Sequence, residues 1–446
     1  MMEPAEGILI DTRRNTAMLT LSLRRSLTGL AFLTCAMTVL DLCGSSPSAV
    51  AQESWTRFRG TNGNGISDQK GILTTWSPGD YAWNIELPGV GHASPIVWKD
   101  KLFVTSAIDE GAMRFLFRLN PATGKEIWSR QVGFNRSHKH SKNSWASSTP
   151  ATDGKRVYLA FSDDEHYTFS AYDFDGQLIW QRLLGGFESQ HGQGVSPILF
   201  NNLVIIANLQ KGPSSVVALD KNTGRTVWSS VHSFYRTSYA TPIIVRLKGE
   251  KPQLVCASGA LGVASLDPQT GRLNWMTGEF PAPRRTVASP IVAGGLLIQS
   301  CGGGGKGNVM IAVDLSDPKD AAKNRIRYER KKVLPYVPTP IYYGGHLFLW
   351  NDNGVVSCVK PENGENIWTI RVGGGYSGSP ICVDGKLYCI TEQGEMVVVP
   401  ATTKQPAATD IQRTSLGDPS HSTPIVAGGR LLIRTYHRLA ALEAKP

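Results

Sequence analysis

A tripeptide, Ser/Thr-Pro-Ile/Ala, recurs eight times along this 446-residue chain, and each copy opens the same run of alternating apolar stretches joined by a short turn. The copies are Ser94-Pro95-Ile96, Thr149-Pro150-Ala151, Ser196-Pro197-Ile198, Thr241-Pro242-Ile243, Ser289-Pro290-Ile291, Thr339-Pro340-Ile341, Ser379-Pro380-Ile381 and Thr423-Pro424-Ile425. Successive prolines lie 55, 47, 45, 48, 50, 40 and 44 residues apart. A period of about 47 is that of one four-stranded propeller blade. It overrides the two or three domains that length alone would indicate, because each repeat buries its faces only against its neighbours.

The third repeat sets the template. Strand A is predicted over Ser196 to Phe200, with Asn201-Asn202 as a tight hairpin turn, and strand B over Leu203 to Asn208. After a loop, Leu209 to Ser214, come strand C (Ser215 to Leu219), the turn Asp220-Lys221-Asn222-Thr223-Gly224, and strand D (Arg225 to Ser229) with Trp228. The turn and its tryptophan return at Trp128, Trp180, Trp275 and Trp368, which reads as blade-to-blade packing rather than ligand stacking. Segments 317–323 and 402–409 replace the turn in two repeats. The eighth repeat stops after strand C, and Tyr81 to Gly89 carries the missing strand D pattern with Trp83. The predicted fold is therefore all-β, an eight-bladed propeller of four-stranded antiparallel blades over 81–446, its last blade closed by the N-terminal strand.

Ahead of the propeller, 1–51 reads as a signal peptide: Arg24-Arg25, an apolar run from Leu27 to Leu42, and cleavage near Ala51. Met18 as the true start and Cys43 as a lipid-anchored first residue stand beside that reading. The expected location is periplasmic or secreted, with no membrane span in the mature chain. Residues 52–80 form a strap. The net charge of +10 favours anionic small molecules or polymers, or an acidic face of an envelope protein, and no nucleic acid is expected. Five cysteines remain after residue 51, at spacings that make no disulfide framework; buried thiols are expected, with a Cys382–Cys389 bridge as the alternative.

The segment Ala218 to Trp228, Ala-x-Asp-x-x-Thr-Gly-x-x-x-Trp, resembles the repeat of the pyrroloquinoline quinone (PQQ)-type propellers. That superfamily holds quinoprotein dehydrogenases and the non-catalytic outer-membrane assembly factor BamB. The leader Trp55-Thr56-Arg57-Phe58-Arg59-Gly60, continued by Asn62-Gly63-Asn64-Gly65, is similar to the opening of secreted PQQ-like repeat proteins. The resemblance implies either a binding or scaffold module or, alternatively, a PQQ-dependent dehydrogenase using calcium. The adjacent cysteine pair that quinoprotein alcohol dehydrogenases place beside the cofactor is missing here, and their Glu, Asn and Asp calcium ligands and Asp base are not matched to positions of this sequence.

In a propeller the D-to-A and B-to-C segments share the face around the channel entrance, and eight of the nine histidines fall in them. The densest cluster is Arg136 to Trp145, with His138, His140 and Asn143, followed one repeat later by Gln190 and His191. Arg236, Tyr239, Arg284 and Arg285 add cations and an aromatic suited to a carboxylate ligand such as PQQ. Tyr336, Tyr376 and Trp350 are further stacking candidates. No metal site is expected, because Arg136, Lys139 and Lys142 flank the histidines and oppose a cation. The glycine-rich 302–307 lacks the following helix that phosphate binding needs. Asp352 is the candidate base should the chain be catalytic.

Overall fold

The computed structural model describes residues 54–61, 63–234, 236–280, 285–303, 308–315 and 325–445. The predicted signal segment, Arg284 and Lys306 lie outside them. Eight antiparallel sheets follow one another around a ring, each built from strands A to D of one repeat. Blade 8 takes its outer strand from the start of the chain: Tyr81–Glu86 pairs with Arg438–Glu443, with Glu86 opposite Arg438. Beyond strands and three-residue 3-10 turns there is little else, and no helix among the described residues is long and apolar enough to cross a membrane.

In blade 3 the strands are Ile198–Phe200, Leu203–Asn208, Gly212–Asp220 and Thr226–Phe234. Strand B matches its predicted limits, and Asn201 holds the positive φ of 51° that the turn requires. The outer hairpin runs further than expected, with Gly212 opposite Phe234. Its extension pairs Pro213, Ser214 and Ser215 with Ser233, His232 and Val231, so no apolar alternation marks it in the sequence. All five cysteines of the propeller are buried, and Cys382 and Cys389 are not bridged.

The repeated Ser/Thr hydroxyl ties each blade to the next. The backbone N–H of Ser94 donates to Thr149 Oγ1, Thr149 to Ser196 Oγ, Ser196 to Thr241 Oγ1 and Thr241 to Ser289 Oγ, at 3.0–3.2 Å. The chain of bonds goes on through Thr339, Ser379 and Thr423 at 2.9–3.0 Å. At the eighth junction the polarity changes, and Ser94 Oγ donates to the Thr423 carbonyl at 2.8 Å. The proline that follows has no N–H to satisfy, so the motif leaves one carbonyl per blade for other use.

A second set of contacts runs around the outside. Trp83, Trp128, Trp180, Trp228 and Trp368 each donate the indole N–H to a carbonyl in or beside the C-to-D turn of the following blade, at 2.9–3.2 Å. Tyr328 takes this role in blade 5, its hydroxyl donating to the Pro361 carbonyl at 2.8 Å. The turn glycine is the seat of that ring. A Cβ on Gly224 would lie 2.7 Å from Trp180, and one on Gly271 would lie 2.3 Å from Trp228. The Thr-Gly-x-x-x-Trp signature thus encodes an interface: the glycine receives the tryptophan of the preceding blade.

The strap crosses the middle of the ring. Ser54–Trp55 adds a fifth strand to blade 1 by pairing antiparallel with Ile96–Trp98, and Ile66–Ser67 pairs parallel with Ile381–Val383 of blade 7. Between them Arg57 donates to the Pro242 carbonyl of blade 4 at 3.3 Å. Arg59 donates to the carbonyls of Pro340 and Pro380, in blades 6 and 7, at 2.8 and 2.9 Å. These are carbonyls that the Ser/Thr-Pro motif leaves on the innermost strands. Burial lowers the Arg59 pKa to about 9, which keeps the guanidinium charged at neutral pH. Gly63 and Gly65, at φ of 70° and 73°, stand against the two guanidinium groups, where a Cβ would come within 2.0 and 2.8 Å.

Three stability measurements follow from these contacts. Thr149→Val keeps the shape but strips the acceptor from the buried Ser94 N–H, and urea unfolding should show a loss of about 1–3 kcal/mol. Gly224→Ala places a side chain at positive φ and against Trp180, which should cost roughly 2–4 kcal/mol in the same assay. Arg59→Met leaves buried proline carbonyls without a donor and should lower stability by about 2–4 kcal/mol, with Arg59→Lys recovering only part of it.

Candidate functional site

All eight D-to-A segments converge on one cavity of about 720 Å³ at the channel entrance. Its inner wall is the hydroxyl ring itself, through Thr149, Ser196, Thr241, Thr339, Ser379 and Thr423, and Phe58 of the strap lines it as well. Four histidines face it from four segments: His92, His140, His191 and His421. Lys142, Arg285 and Lys331 are its cations, and Asp352 is its acid.

The histidines form two groups. His140 and His191 stack with ring centroids 4.6 Å apart and planes at 19°. Asn143 clamps this pair, donating from Nδ2 to the His191 and Gln193 carbonyls at 2.6 and 3.1 Å. Arg285 Nη1 lies 3.3 Å from His191 Nε2, and its Nη2 donates to Gln190 Oε1 at 2.9 Å. An arginine has only protons to offer, so His191 Nε2 is the acceptor in that contact and the ring is neutral. Burial first, then Arg285, His140 and His138, bring the His191 pKa down to about 4. Tyr239 meets the His191 ring edge-on at 5.9 Å and hydrogen-bonds Ser189 at 2.8 Å.

The second group is His92, His421 and Tyr436. His92 stacks on Tyr436 at 4.9 Å and meets His421 edge-on at 4.6 Å. His421 donates from Nδ1 to the Lys142 carbonyl at 3.0 Å, and its Nε2 lies 3.1 Å from the Tyr436 hydroxyl. Burial holds the pKa of both imidazoles below the ordinary value, with the His421 and Lys139 charges adding to the effect at His92. Lys142 completes the span from this side, its Nζ 2.7 Å from Glu392 Oε1. The segment around Lys142 thus touches His191 on one side and blades 7 and 8 on the other.

Of the residues singled out in the sequence, His140, Asn143, His191, Tyr239, Arg285 and Asp352 line this cavity. His138 does not: it is exposed and borders a small cleft beside Ser162 and Asp163. Gln190 acts one step back, through Arg285, and Arg236 is exposed outside the lining. Trp350 and Tyr376 are both 1% exposed and pack edge-on in the core, so neither is a surface for stacking; only Tyr336 of that group reaches the cavity. The surrounding rim is less basic than its lysine and arginine count predicts. Arg136 pairs with Asp109, Lys211 with Glu188 and Lys142 with Glu392.

Asp352 accepts the backbone N–H of Tyr336 at 2.7 Å and of Val337 at 3.0 Å, one on each oxygen. Burial raises its pKa against these bonds, and the carboxylate is a latch holding the blade 5-to-6 segment in place. Among the described residues no three His, Cys, Asp or Glu side chains converge to hold a metal ion. With its one lining acid committed to backbone amides, the donor set does not fit a calcium-bound quinone. Phe58 and Tyr436 were not singled out as site residues in the sequence. Phe58 is set there by the two arginines that flank it in Arg57-Phe58-Arg59, a pattern whose acceptors lie 185–321 residues away.

A family model described as outer membrane protein assembly factor BamB matches residues 61–182, 112–370 and 335–445 of this chain. A curated relative, BamB of Moranella endobia (strain PCIT), is 24% identical over 247 residues, covering 51% of this chain and 60% of the relative's length. The BamB structure from Moraxella catarrhalis superposes with a TM-score of 0.57 at 15% identity, covering 83% of this chain and all of that one. A europium-containing methanol dehydrogenase gives 0.51 at 12% identity, covering 86% of this chain and 90% of its own. At such identities the two structures share the fold with this protein. With the family model spanning nearly the whole ring, the chain belongs to the PQQ-type repeat propellers of the outer membrane protein assembly factor BamB family.

Proposed function

We propose that this propeller is a binding or scaffold module of the cell envelope, taking an anionic ligand or a protein partner at its entrance cavity. The observation that carries the reading is the cavity lining: four imidazoles, Lys142, Arg285 and Lys331 around one acid whose oxygens are already bonded. Such a wall offers hydrogen-bond donors and positive charge to an anion. Membership in a family named for an outer-membrane assembly factor supports an exported location and a partner in the envelope.

A protein partner is also supported by the outer edge. Eight of the ten exposed large apolar side chains among the described residues sit on the outer strands of blades 1 to 4: Ile127; Leu178, Ile179 and Leu183; Val227 and Val231; Leu273 and Met276. Apolar side chains gathered on one side of a ring mark an interaction surface rather than scattered exposure.

The dehydrogenase alternative makes a different demand on the same cavity. Titration of residues 52–446 with PQQ, followed by tryptophan fluorescence with inner-filter correction, should give the same isotherm with and without calcium. Saturable quenching at micromolar or tighter affinity that appears only with calcium would overturn the scaffold reading and restore the quinoprotein one.

A further inference from the structure

Arg285 and His191 stand at the cavity wall in an arrangement that is complete only while the imidazole is neutral. The guanidinium N–H points at His191 Nε2 across 3.3 Å. If that nitrogen gained a proton, two N–H donors would face each other with nothing between them. His191 Nδ1 is buried and has no partner among the described residues, so the ring has no second bond to compensate. The other end of the guanidinium is fixed by Gln190, and the ring is held flat against His140 by stacking.

A carboxylate oxygen is the group that resolves this arrangement. Placed between Arg285 Nη1 and His191 Nε2, it accepts from both, and the proton that was unfavourable at His191 becomes a second charge-assisted bond. The groups facing the pair from its neighbouring elements reinforce the demand for an anion. They are His140 on the blade 1-to-2 segment, and Tyr239 on the blade 3-to-4 segment. Lys142 and Lys331 lie further round the same wall, each paired with a glutamate, Glu392 and Glu329. Asp352 is occupied by backbone N–H groups, and Glu392 by Lys142 and Ser377.

Resting on the anion-binding reading above, we propose that Arg285 and His191 form a carboxylate subsite for a small polycarboxylate, and that binding there is coupled to uptake of one proton by His191. The cavity volume of about 720 Å³ suits a ligand of that size. Free His191 is held neutral well into acidic pH, as its depressed pKa requires. A bound carboxylate stabilises the protonated ring and raises that value. Affinity therefore rises as pH falls from the bound-state value towards the free value of about 4, by at most one decade per pH unit for one proton.

The test uses benzene-1,3,5-tricarboxylate as probe, titrated calorimetrically into residues 52–446 at about pH 6 and about pH 8, where the probe's own carboxylates stay ionised. The expected result is about tenfold tighter binding at the lower pH. In buffers of different ionisation enthalpy, uptake close to one proton per probe should appear at about pH 6. His191→Gln keeps a hydrogen-bonding side chain and should bind with the same affinity at both pH values. Histidine titration by NMR on the unsubstituted protein gives an independent readout, in which the His191 resonance should titrate near neutrality only with the probe present. Equal affinity at both pH values with no proton uptake would overturn the coupling while leaving the anion-binding reading intact. Absence of binding at either pH would overturn both.

Discussion

Eight hydroxyls hold this ring together from within. The Ser/Thr of each repeat sits where the chain enters the innermost strand; seven of them accept the backbone N–H of a neighbour there, and Ser94 closes the ring by donating to the Thr423 carbonyl. Each of those seven N–H groups is buried and would otherwise lack a partner, so the hydroxyl is required at those junctions. The next residue is proline because a position with no N–H needs no acceptor. Its ring also fixes the angle at which the strand begins. A single tripeptide thereby sets the tilt of each blade relative to the next. The outer tryptophans and their glycine seats repeat the arrangement at the rim, and the blades are registered at two radii.

The same motif creates the need that the strap meets. Innermost strands have an edge towards the axis, which the strap pairs in blades 1 and 7, and the proline carbonyls of blades 4, 6 and 7 take side-chain donors instead. Arg57 and Arg59 bring several donors each on a planar group and can serve carbonyls from different blades at once. The cost of burying these charges is met by oxygens that were already there. The cavity above inherits its shape from this arrangement, with hydroxyls around its wall and Phe58 held between the two arginines.

The blades were legible because their determinants are local. Turn residues such as Asn201 and Gly224 fix strand ends by backbone conformation, and alternation marks the strands between them. Closure by Tyr81–Glu86 could be read for the same reason, since a strand D pattern without its blade has one place to go. The hydroxyl ring and the arginine strap were not legible. Every bond in the ring joins residues 40 or more positions apart, and Arg59 reaches 281 and 321 residues along the chain. At the site, assigning loops to the entrance face grouped His140, His191 and Arg285, which line one cavity. It did not separate His140 from His138, two positions away and turned to the outside, because loops carry no periodicity from which direction can be read. Trp350 was misjudged for the opposite reason: it ends a strand, and its side chain continues the core.

The strap also governs traffic. A propeller with an open axis could pass a small solute from one face to the other, but here a segment bonded to blades 1, 4, 6 and 7 runs across the axis. What enters the cavity leaves by the mouth it came through. The protein is therefore a cup rather than a conduit, and how long it keeps its contents is decided at the rim.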